Sequence, residues 1–146
     1  MDREDLGALF ARGARRMMEA ERPLLAAHGV SMWAYVALTL LARGSAPTQL
    51  ALAEAMGYDK SRLIKILDGL EADGLISRAP DPADRRARVI ELTPEGRAKH
   101  AAIQRDVRRV EDEILSVLGA DERETLLSAL ARLTAGASPD ATSDAR

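Results

Sequence analysis

The sequence contains no cysteine among its 146 residues. This absence excludes disulfide bonds, thiolate metal sites, cysteine nucleophiles and thiol-based redox sensing. Histidine is almost as scarce, and because His28 and His100 are far apart in the sequence, we expect no metal site. No run of about 18 apolar residues occurs, which predicts that no segment spans a membrane.

The chain also lacks the sequence features of a secreted protein or an enzyme. Residues 1–6 carry three acidic residues and one arginine, a composition foreign to signal peptides, so we expect a cytoplasmic location. The sequence shows no glycine-rich phosphate-binding motif and no paired carboxylates for acid–base catalysis. We therefore expect no enzymatic activity and no cofactor.

The charge of the chain is informative only where it is concentrated. The formal net charge of −2 does not itself favour a nucleic-acid partner. Binding to phosphate depends on local clusters of lysine and arginine, and two such clusters occur, at residues 60–65 and 84–88. Each cluster alone is also compatible with solvated surface charge, but the two together predict a local positive face.

Apolar residues at helical spacing predict an amphipathic helix over residues 3–26, which closes at His28 and Gly29. Ser31 is placed to cap a second helix over residues 32–42, which is apolar nearly all round and should be buried. After the break at residues 43–47, the chain becomes more polar.

Two further helices with a tight turn between them follow the break. Thr48 is placed to cap a short helix over residues 49–56, Gly57 supplies the turn, and Asp59 caps a helix over residues 60–72. The buried stripe of the helix over residues 60–72 is predicted to be Leu63, Ile66, Leu67 and Leu70. Its opposite face is predicted to carry Lys60, Ser61, Ile64 and Lys65. This order of elements is a helix-turn-helix.

Two short strands, residues 76–79 and 88–92, are predicted next, joined by a basic loop. A helix followed by a basic ribbon is the arrangement of a winged helix on DNA. The expected fold class is therefore mainly α (α+β): a winged helix-turn-helix with a two-stranded β wing, flanked by N- and C-terminal helices.

A long helix is predicted to begin at Thr93, which caps it, and to end at Gly119. Its apolar residues step by four and three, which predicts a partner helix; they are Ile103, Val107, Val110, Ile114 and Val117. His100 is expected on the outer part of this helix, facing solvent or at the edge of a dimer. A last helix is predicted to begin with a capping box at residues 121–124.

The run from Asp81 to Gly96 resembles the MarR (multiple antibiotic resistance regulator) family, and the run from Leu70 to Arg78 fits that family too. The resemblance covers about residues 5–134. It implies an obligate homodimer with intertwined N- and C-terminal helices and a palindromic operator on double-stranded DNA. It also implies that a small phenolic or lipophilic effector often weakens DNA binding.

The resemblance predicts one MarR-like chain over residues 1–134, with a DNA-binding lobe at 44–93 and dimerisation helices at 3–30 and 94–134. Residues 135–146 are expected to be disordered because they are rich in small and polar residues. The residues predicted for the dimer interface are Leu6, Phe10, Val110, Ile114, Leu126 and Leu130.

A recognition helix enters the major groove, where base edges present distinct donors and acceptors. Three side chains of the helix over residues 60–72 are placed to reach bases or phosphates there: Lys60, Ser61 and Lys65. Arg62 lies to one side of these residues on the helix surface and is expected to bind a phosphate. Thr48 and Gln49, at a helix N-terminus, suit a phosphate contact, although capping alone explains Thr48 equally well.

By match to the family, Arg86 at the wing tip is expected to enter the minor groove, where narrow A·T tracts concentrate negative potential. Asp84 would brace Arg86 by ion pairing, although an exposed pair of this kind contributes little by itself. Arg85 and Arg88 remain for phosphates or for the base of the wing.

Two positions depart from the family pattern. Ile64 stands where the family usually has serine or threonine; it can pack on thymine methyl groups, or it is a core residue of a slightly rotated helix. Gly69 stands where the family often has a basic residue, which removes a possible phosphate contact.

The resemblance also predicts an effector pocket between the first, second and fifth helices. Its candidate lining residues are Met17, His28, Met32, Trp33 and Val36. The alternative is that these residues belong to the ordinary core, since an apolar helix spacing alone does not distinguish the two.

The leading hypothesis is a dimeric, sequence-specific DNA-binding transcriptional regulator of the repressor type, released by a small ligand. The alternative is a winged-helix dimer that acts as a protein-interaction adaptor without binding DNA. DNA affinity that falls steeply with salt would favour the first, and a flat salt response would favour the second.

Overall fold

Helices α1 to α6 and strands β1 and β2 make up the regular structure of residues 2–46 and 48–135, the part of the chain that the computed structural model describes. In chain order they are α1 (Leu6–Ala27), α2 (Met32–Arg43), α3 (Gln49–Met56), α4 (Lys60–Ala72), β1 (Ile76–Pro80), β2 (Arg88–Leu92), α5 (Pro94–Leu115) and α6 (Ala120–Thr134). The chain divides into two compact units, Met1–Val110 and Glu111–Arg146. The predicted disordered tail lies outside the described residues, apart from Ala135.

Side-chain caps fix the N-termini of four helices at the positions that the sequence predicted. Each capping oxygen accepts a hydrogen bond from the backbone N–H three residues on: Ser31 from Ala34 at 3.2 Å, Thr48 from Ala51 at 2.9 Å, Asp59 from Arg62 at 2.9 Å and Thr93 from Gly96 at 3.0 Å. These bonds satisfy backbone donors that have no partner within the helix. The short α3 also ends as predicted, because Gly57 adopts a left-handed conformation with φ of 62°.

The core of the first unit is formed by one face of each helix and by the inner side of the wing. Its largest fully buried side chains are Leu38, Leu41, Leu63, Leu67, Ile90 and Ile103. In α4 the predicted stripe faces this core, with Ile66 partly buried, while Lys60, Ser61 and Lys65 are exposed. The prediction for the two faces of α4 is therefore confirmed except at Ile64, which was predicted on the opposite face and is half-buried.

The two strands pair antiparallel, from Ile76 opposite Leu92 to Pro80 opposite Arg88. The first strand is one residue longer than predicted. Backbone hydrogen bonds in both directions, of 3.0 and 2.9 Å, join Ala46 to Ile90 and attach the wing to the segment before α3. The observed fold is the predicted winged helix-turn-helix.

The N-terminus of α5 packs tightly on the turn that precedes β1. The hydroxyl of Thr93 donates to the carbonyl of Gly74 at 2.5 Å, and the backbone N–H of Thr93 donates to the carbonyl of Leu75 at 3.0 Å. Gly96 is buried against the same carbonyl, and a Cβ atom at this position would lie 1.9 Å from the oxygen of Leu75. Only glycine permits this approach.

The prediction for His100 was wrong, because the side chain is buried with 7% of its surface exposed. Its Nε2 lies 3.1 Å from the hydroxyl oxygen of Thr39, and its ring stacks on Tyr35 with centroids 5.7 Å apart. The Thr39 hydroxyl donates to the carbonyl of Tyr35, so its oxygen can accept the N–H of His100. Burial lowers the pKa of His100, and the positive charge of Arg108 acts in the same direction.

In the second unit, the N-cap of α6 lies two residues before the first residue of the predicted capping box. The side chain of Glu122 accepts from the backbone N–H of Gly119 at 3.0 Å, so Gly119 rather than Asp121 occupies the cap position. Arg123 forms an ion pair with Asp112. The long helix α5 ends at Leu115 and a turn follows, so the predicted helix to Gly119 is too long.

Within the described ranges, no single helix is long and apolar enough to cross a membrane. Helices α1 and α2 reach the necessary length and apolarity only as a pair, and the pair is bent by 86°.

Candidate nucleic-acid interface

A cleft of about 330 Å³ joins the starts of α3 and α4 to the wing. It is lined by Thr48, Gln49, Leu50, Lys60, Asp84, Arg86, Ala87 and Arg88. Six of these residues were predicted to contact DNA, and they come from three separate stretches of the sequence. The fold therefore brings the two basic clusters of the sequence to one surface.

The exposed face of α4 continues this surface beyond the cleft. Ser61, Arg62 and Lys65 are exposed, and Ile64 is half-buried. The ion pairs found in the described part of the chain include neither Lys60 nor Lys65. Their charges are therefore not neutralised by a neighbouring carboxylate.

The wing tip is shaped by aspartate side chains that bind the backbone. Asp81 accepts from the N–H of Ala83 at 2.9 Å, and Asp84 accepts from the N–H of Arg86 at 3.0 Å. The N–H of Asp81 also donates to the carbonyl of Ala87 at 2.9 Å. A short acidic side chain readily reaches the backbone two residues ahead, and this contact stabilises a turn.

The predicted ion pair between Asp84 and Arg86 is corrected by this geometry. Across the described residues, no ion pair joins their side chains, because the Asp84 carboxylate is engaged by the backbone of Arg86 instead. Asp84 therefore sets the shape of the tip. The side chain of Arg86 is exposed beside the cleft.

Arg78, which was not among the predicted site residues, links three elements of this surface. Its guanidinium donates to Gln49 of α3 at 2.9 Å, and to Asp68 and Glu71 of α4 at 2.6 and 3.1 Å. Only 11% of its side chain is exposed. The hydrogen bond from Arg78 is the main cause that lowers the pKa of Glu71. Strand alternation was the available signal, because Arg78 lies two residues after the buried Ile76 and on the same face.

We expect Arg78→Lys to lower the free energy of unfolding by about 1 kcal/mol, because an ammonium group cannot keep the forked contacts of a guanidinium. Urea denaturation with unchanged m-value is the measurement. The matched control is Arg97→Lys, at an exposed arginine of α5, which should change stability by less than about 0.5 kcal/mol. Equal effects of the two substitutions would contradict the role assigned to Arg78.

One of the five residues predicted for an effector pocket lines a cavity formed by described residues. A cavity of about 280 Å³ between the end of α1 and the start of α2 is lined by Met18, Arg22, Leu25, Ala26, Val30, Ser31 and Met32. Of the predicted residues, only Met32 lines it. His28 instead lies 2.7 Å from the carboxylate of Asp106, and Trp33 stacks on Tyr58 with ring centroids 4.4 Å apart. Met17 and Val36 are half-buried.

Each unit leaves apolar side chains exposed at the positions predicted for a dimer interface. In the first unit, Leu6 and Phe10 are exposed by 53% and 43%. In the second unit, Leu126 is exposed and Leu130 is half-buried. Val110 and Ile114, also predicted, are half-buried.

Comparisons with known proteins identify the family to which the chain is similar. The family model described as the MarR family matches residues 28–87, which include the helix-turn-helix and most of the wing. A relative from Thauera aromatica, described as a putative transcriptional regulatory protein for the hcr operon, is 36% identical over 112 residues, 77% of this chain and 68% of the relative.

Solved structures with the same fold include DNA-bound and ligand-bound proteins. The transcriptional repressor CouR, solved on a 23-mer DNA duplex, is 32% identical, with a TM-score of 0.78 over 89% of this chain and 92% of CouR. NadR, solved with 4-hydroxyphenylacetate, is 26% identical, with a TM-score of 0.74 over 91% of this chain and 94% of NadR. From its sequence and its fold, the chain belongs to the MarR family of transcriptional regulators.

Proposed function

We propose that this protein is a homodimeric repressor that binds a palindromic DNA operator and is released by a small lipophilic or phenolic ligand. The observation that carries the proposal is the cleft in which Thr48, Lys60 and Arg86 meet. Because one side comes from the helix-turn-helix and the other from the wing, a duplex against this surface would be held at two grooves.

In the proposed complex, α4 enters the major groove with Lys60, Ser61 and Lys65 toward base edges and phosphates. Arg62 holds a phosphate at the edge of the groove. The exposure of all four residues supports this assignment, since none of them contributes to the core. The capped N-terminus of α3, with Thr48 and Gln49, faces the same cleft and adds backbone N–H groups suited to a phosphate.

The wing supplies the second groove contact. Arg86 enters the minor groove, and Arg85 and Arg88 bind the flanking phosphates. The hydrogen bonds of Asp81 and Asp84 support this assignment, because they order the tip before DNA arrives. An ordered tip loses less conformational entropy on binding than a flexible one.

A second copy of the chain completes the repressor in this proposal. The exposed leucines and phenylalanine of α1 and α6 are the support, because burying such side chains is the main driving force for association. Two recognition helices related by a twofold axis would then lie about 34 Å apart, one turn of the duplex.

The effector site is proposed at the cavity beside the start of α2. Its walls are mostly apolar, and Arg22 and Ser31 provide the polar groups. Such a combination suits an aromatic acid or phenol, whose ring needs apolar walls and whose polar end needs a donor. The structure of NadR with 4-hydroxyphenylacetate is a precedent in a protein of the same fold.

DNA affinity should fall about a thousandfold or more between 50 and 200 mM salt, as expected for about six or more phosphate contacts. Fluorescence anisotropy on a duplex selected by the protein from a random library measures this, with an unselected duplex of equal length as the control for sequence preference. Sedimentation of the free protein should give twice the mass of one chain. A flat salt response would contradict the proposal and favour the adaptor hypothesis. A stable single subunit would contradict both, because each requires a dimer.

A further inference from the structure

Ile64 is an apolar side chain on a helix face that is otherwise polar and charged. It lies one turn after Lys60 and directly before Lys65 in α4, and it is half-buried. Among the residues that the structure describes, Ile64 belongs neither to the buried core nor to the partly buried hydrophobic residues packed on it. The core contributions of α4 come from Leu63, Leu67 and Leu70, with Ile66 packed against them. Core packing therefore does not explain an isoleucine at this position.

The surroundings of Ile64 restrict the partner that can cover it. The cations of Lys60, Arg62 and Lys65 on the same helix favour a partner with dense negative charge. An isoleucine offers no hydrogen bond, so it cannot read the donors and acceptors of a base edge. In the major groove of unmodified DNA, the one apolar group among the base edges is the C5-methyl group of thymine.

We infer that Ile64 packs against a thymine methyl group and selects thymine at one position of each half-site. This inference rests on the proposed function and adds a specificity-determining residue to it. The cations flanking Ile64 bring the helix to the phosphates, and the isoleucine then distinguishes a pyrimidine with a methyl group from one without it. The selected base is thus chosen by shape and apolar contact rather than by hydrogen bonding.

Replacing thymine by deoxyuridine in the duplex tests this directly, because the substitution removes the methyl group and leaves base pairing unchanged. The probe is the duplex selected from a random library, with each thymine replaced in turn. For the wild-type protein, one position in each half-site should weaken binding about four-fold per methyl group removed, the effect of losing one buried carbon. Deoxyuridine at the remaining positions should have smaller effects.

Variants assign the methyl contact to Ile64. Ile64→Ala should bind the thymine and deoxyuridine duplexes equally, and Ile64→Val should retain part of the difference. Lys65→Ala is the matched control: it should weaken binding to both duplexes but keep their ratio, since a phosphate or polar contact is insensitive to the methyl group. A double-mutant cycle that combines the substitution in the protein with the substitution in the DNA isolates the contact between Ile64 and the methyl group.

Three outcomes would overturn the inference, and they are distinguishable. If no thymine position responds to deoxyuridine in the wild-type protein, Ile64 does not read a methyl group. If the response persists in Ile64→Ala, another residue reads it, and Leu50, which is 48% exposed beside the cleft, is the first candidate. If selection yields no duplex at all, the proposed function itself is wrong.

Discussion

Replacing Gly96 with alanine should lower the free energy of unfolding by about 3 kcal/mol or more. The added Cβ would stand 1.9 Å from the carbonyl oxygen of Leu75 and 2.9 Å from its carbon. Both are backbone atoms, so no side-chain rotation relieves the overlap. The N-terminus of α5 must move away from the turn, and this weakens the hydrogen bonds of Thr93 to Gly74 and Leu75. Urea denaturation followed by circular dichroism measures the loss.

Gly69→Ala is the matched control for Gly96→Ala. Gly69 lies inside α4 and is exposed, and outside the backbone of its own helix no atom lies within 4 Å of the point that a Cβ would occupy. Alanine there should stabilise the protein by about 1 kcal/mol, because it favours the helical backbone more than glycine does. The two substitutions add the same methyl group, so opposite signs would show that the effect at Gly96 is steric. A Gly96→Ala protein as stable as the wild type would contradict the close approach.

Local signals in the sequence were sufficient to predict most of the fold. Ser31, Thr48, Asp59 and Thr93 each cap the helix that they were expected to cap, because a cap is formed within four consecutive residues. The strand over residues 88–92 was also predicted with its observed bounds. The ends of some other elements were predicted wrongly; α5, for example, ends earlier than predicted. Terminal helix turns fray, and several end positions differ little in energy.

Contacts between elements distant in sequence were not predictable in the same way. His100 was expected on the outer part of α5, facing solvent or at a dimer edge, yet Thr39 of α2 supplies its buried hydrogen-bond partner. Arg78 was overlooked because it lies in a strand and its partners, Gln49 and Asp68, lie on two helices earlier in the chain. Helical spacing indicates which face is buried, but it does not indicate which polar group on a neighbouring element satisfies a buried side chain.

The wing tip shows a similar limit at short range. The resemblance to the family suggested an ion pair between Asp84 and Arg86, but the Asp84 carboxylate accepts a hydrogen bond from the backbone N–H of Arg86 instead. The backbone contact needs no ordering of the long arginine side chain, whose loss of rotamer freedom opposes an exposed ion pair. The guanidinium of Arg86 is consequently not held by Asp84.

Arg86→Ala should weaken operator binding by about 1–3 kcal/mol for each wing that contacts DNA. In a dimer the two wings lie on separate half-sites, so their contributions should add. The fold should be unaffected, since Arg86 is exposed and the hydrogen bond that it gives to Asp84 comes from its backbone. Anisotropy titrations at fixed salt measure the affinity, with Arg97→Ala as a control that removes the same charge from an exposed site on α5.

Changing the base sequence under the wing distinguishes a minor-groove contact of Arg86 from simple attraction between its charge and the phosphates. If Arg86 occupies a narrow minor groove, exchanging A·T for G·C pairs there should weaken the wild-type protein and affect Arg86→Ala much less. Arg85→Ala should weaken binding to both duplexes alike, because a phosphate contact carries no base information.

Asp84→Ala keeps the charge of Arg86 but removes the hydrogen bond that orders the tip, so its DNA affinity should fall between those of the wild type and Arg86→Ala. Equal affinities of Arg86→Ala and wild-type protein would place Arg86 outside the DNA contact.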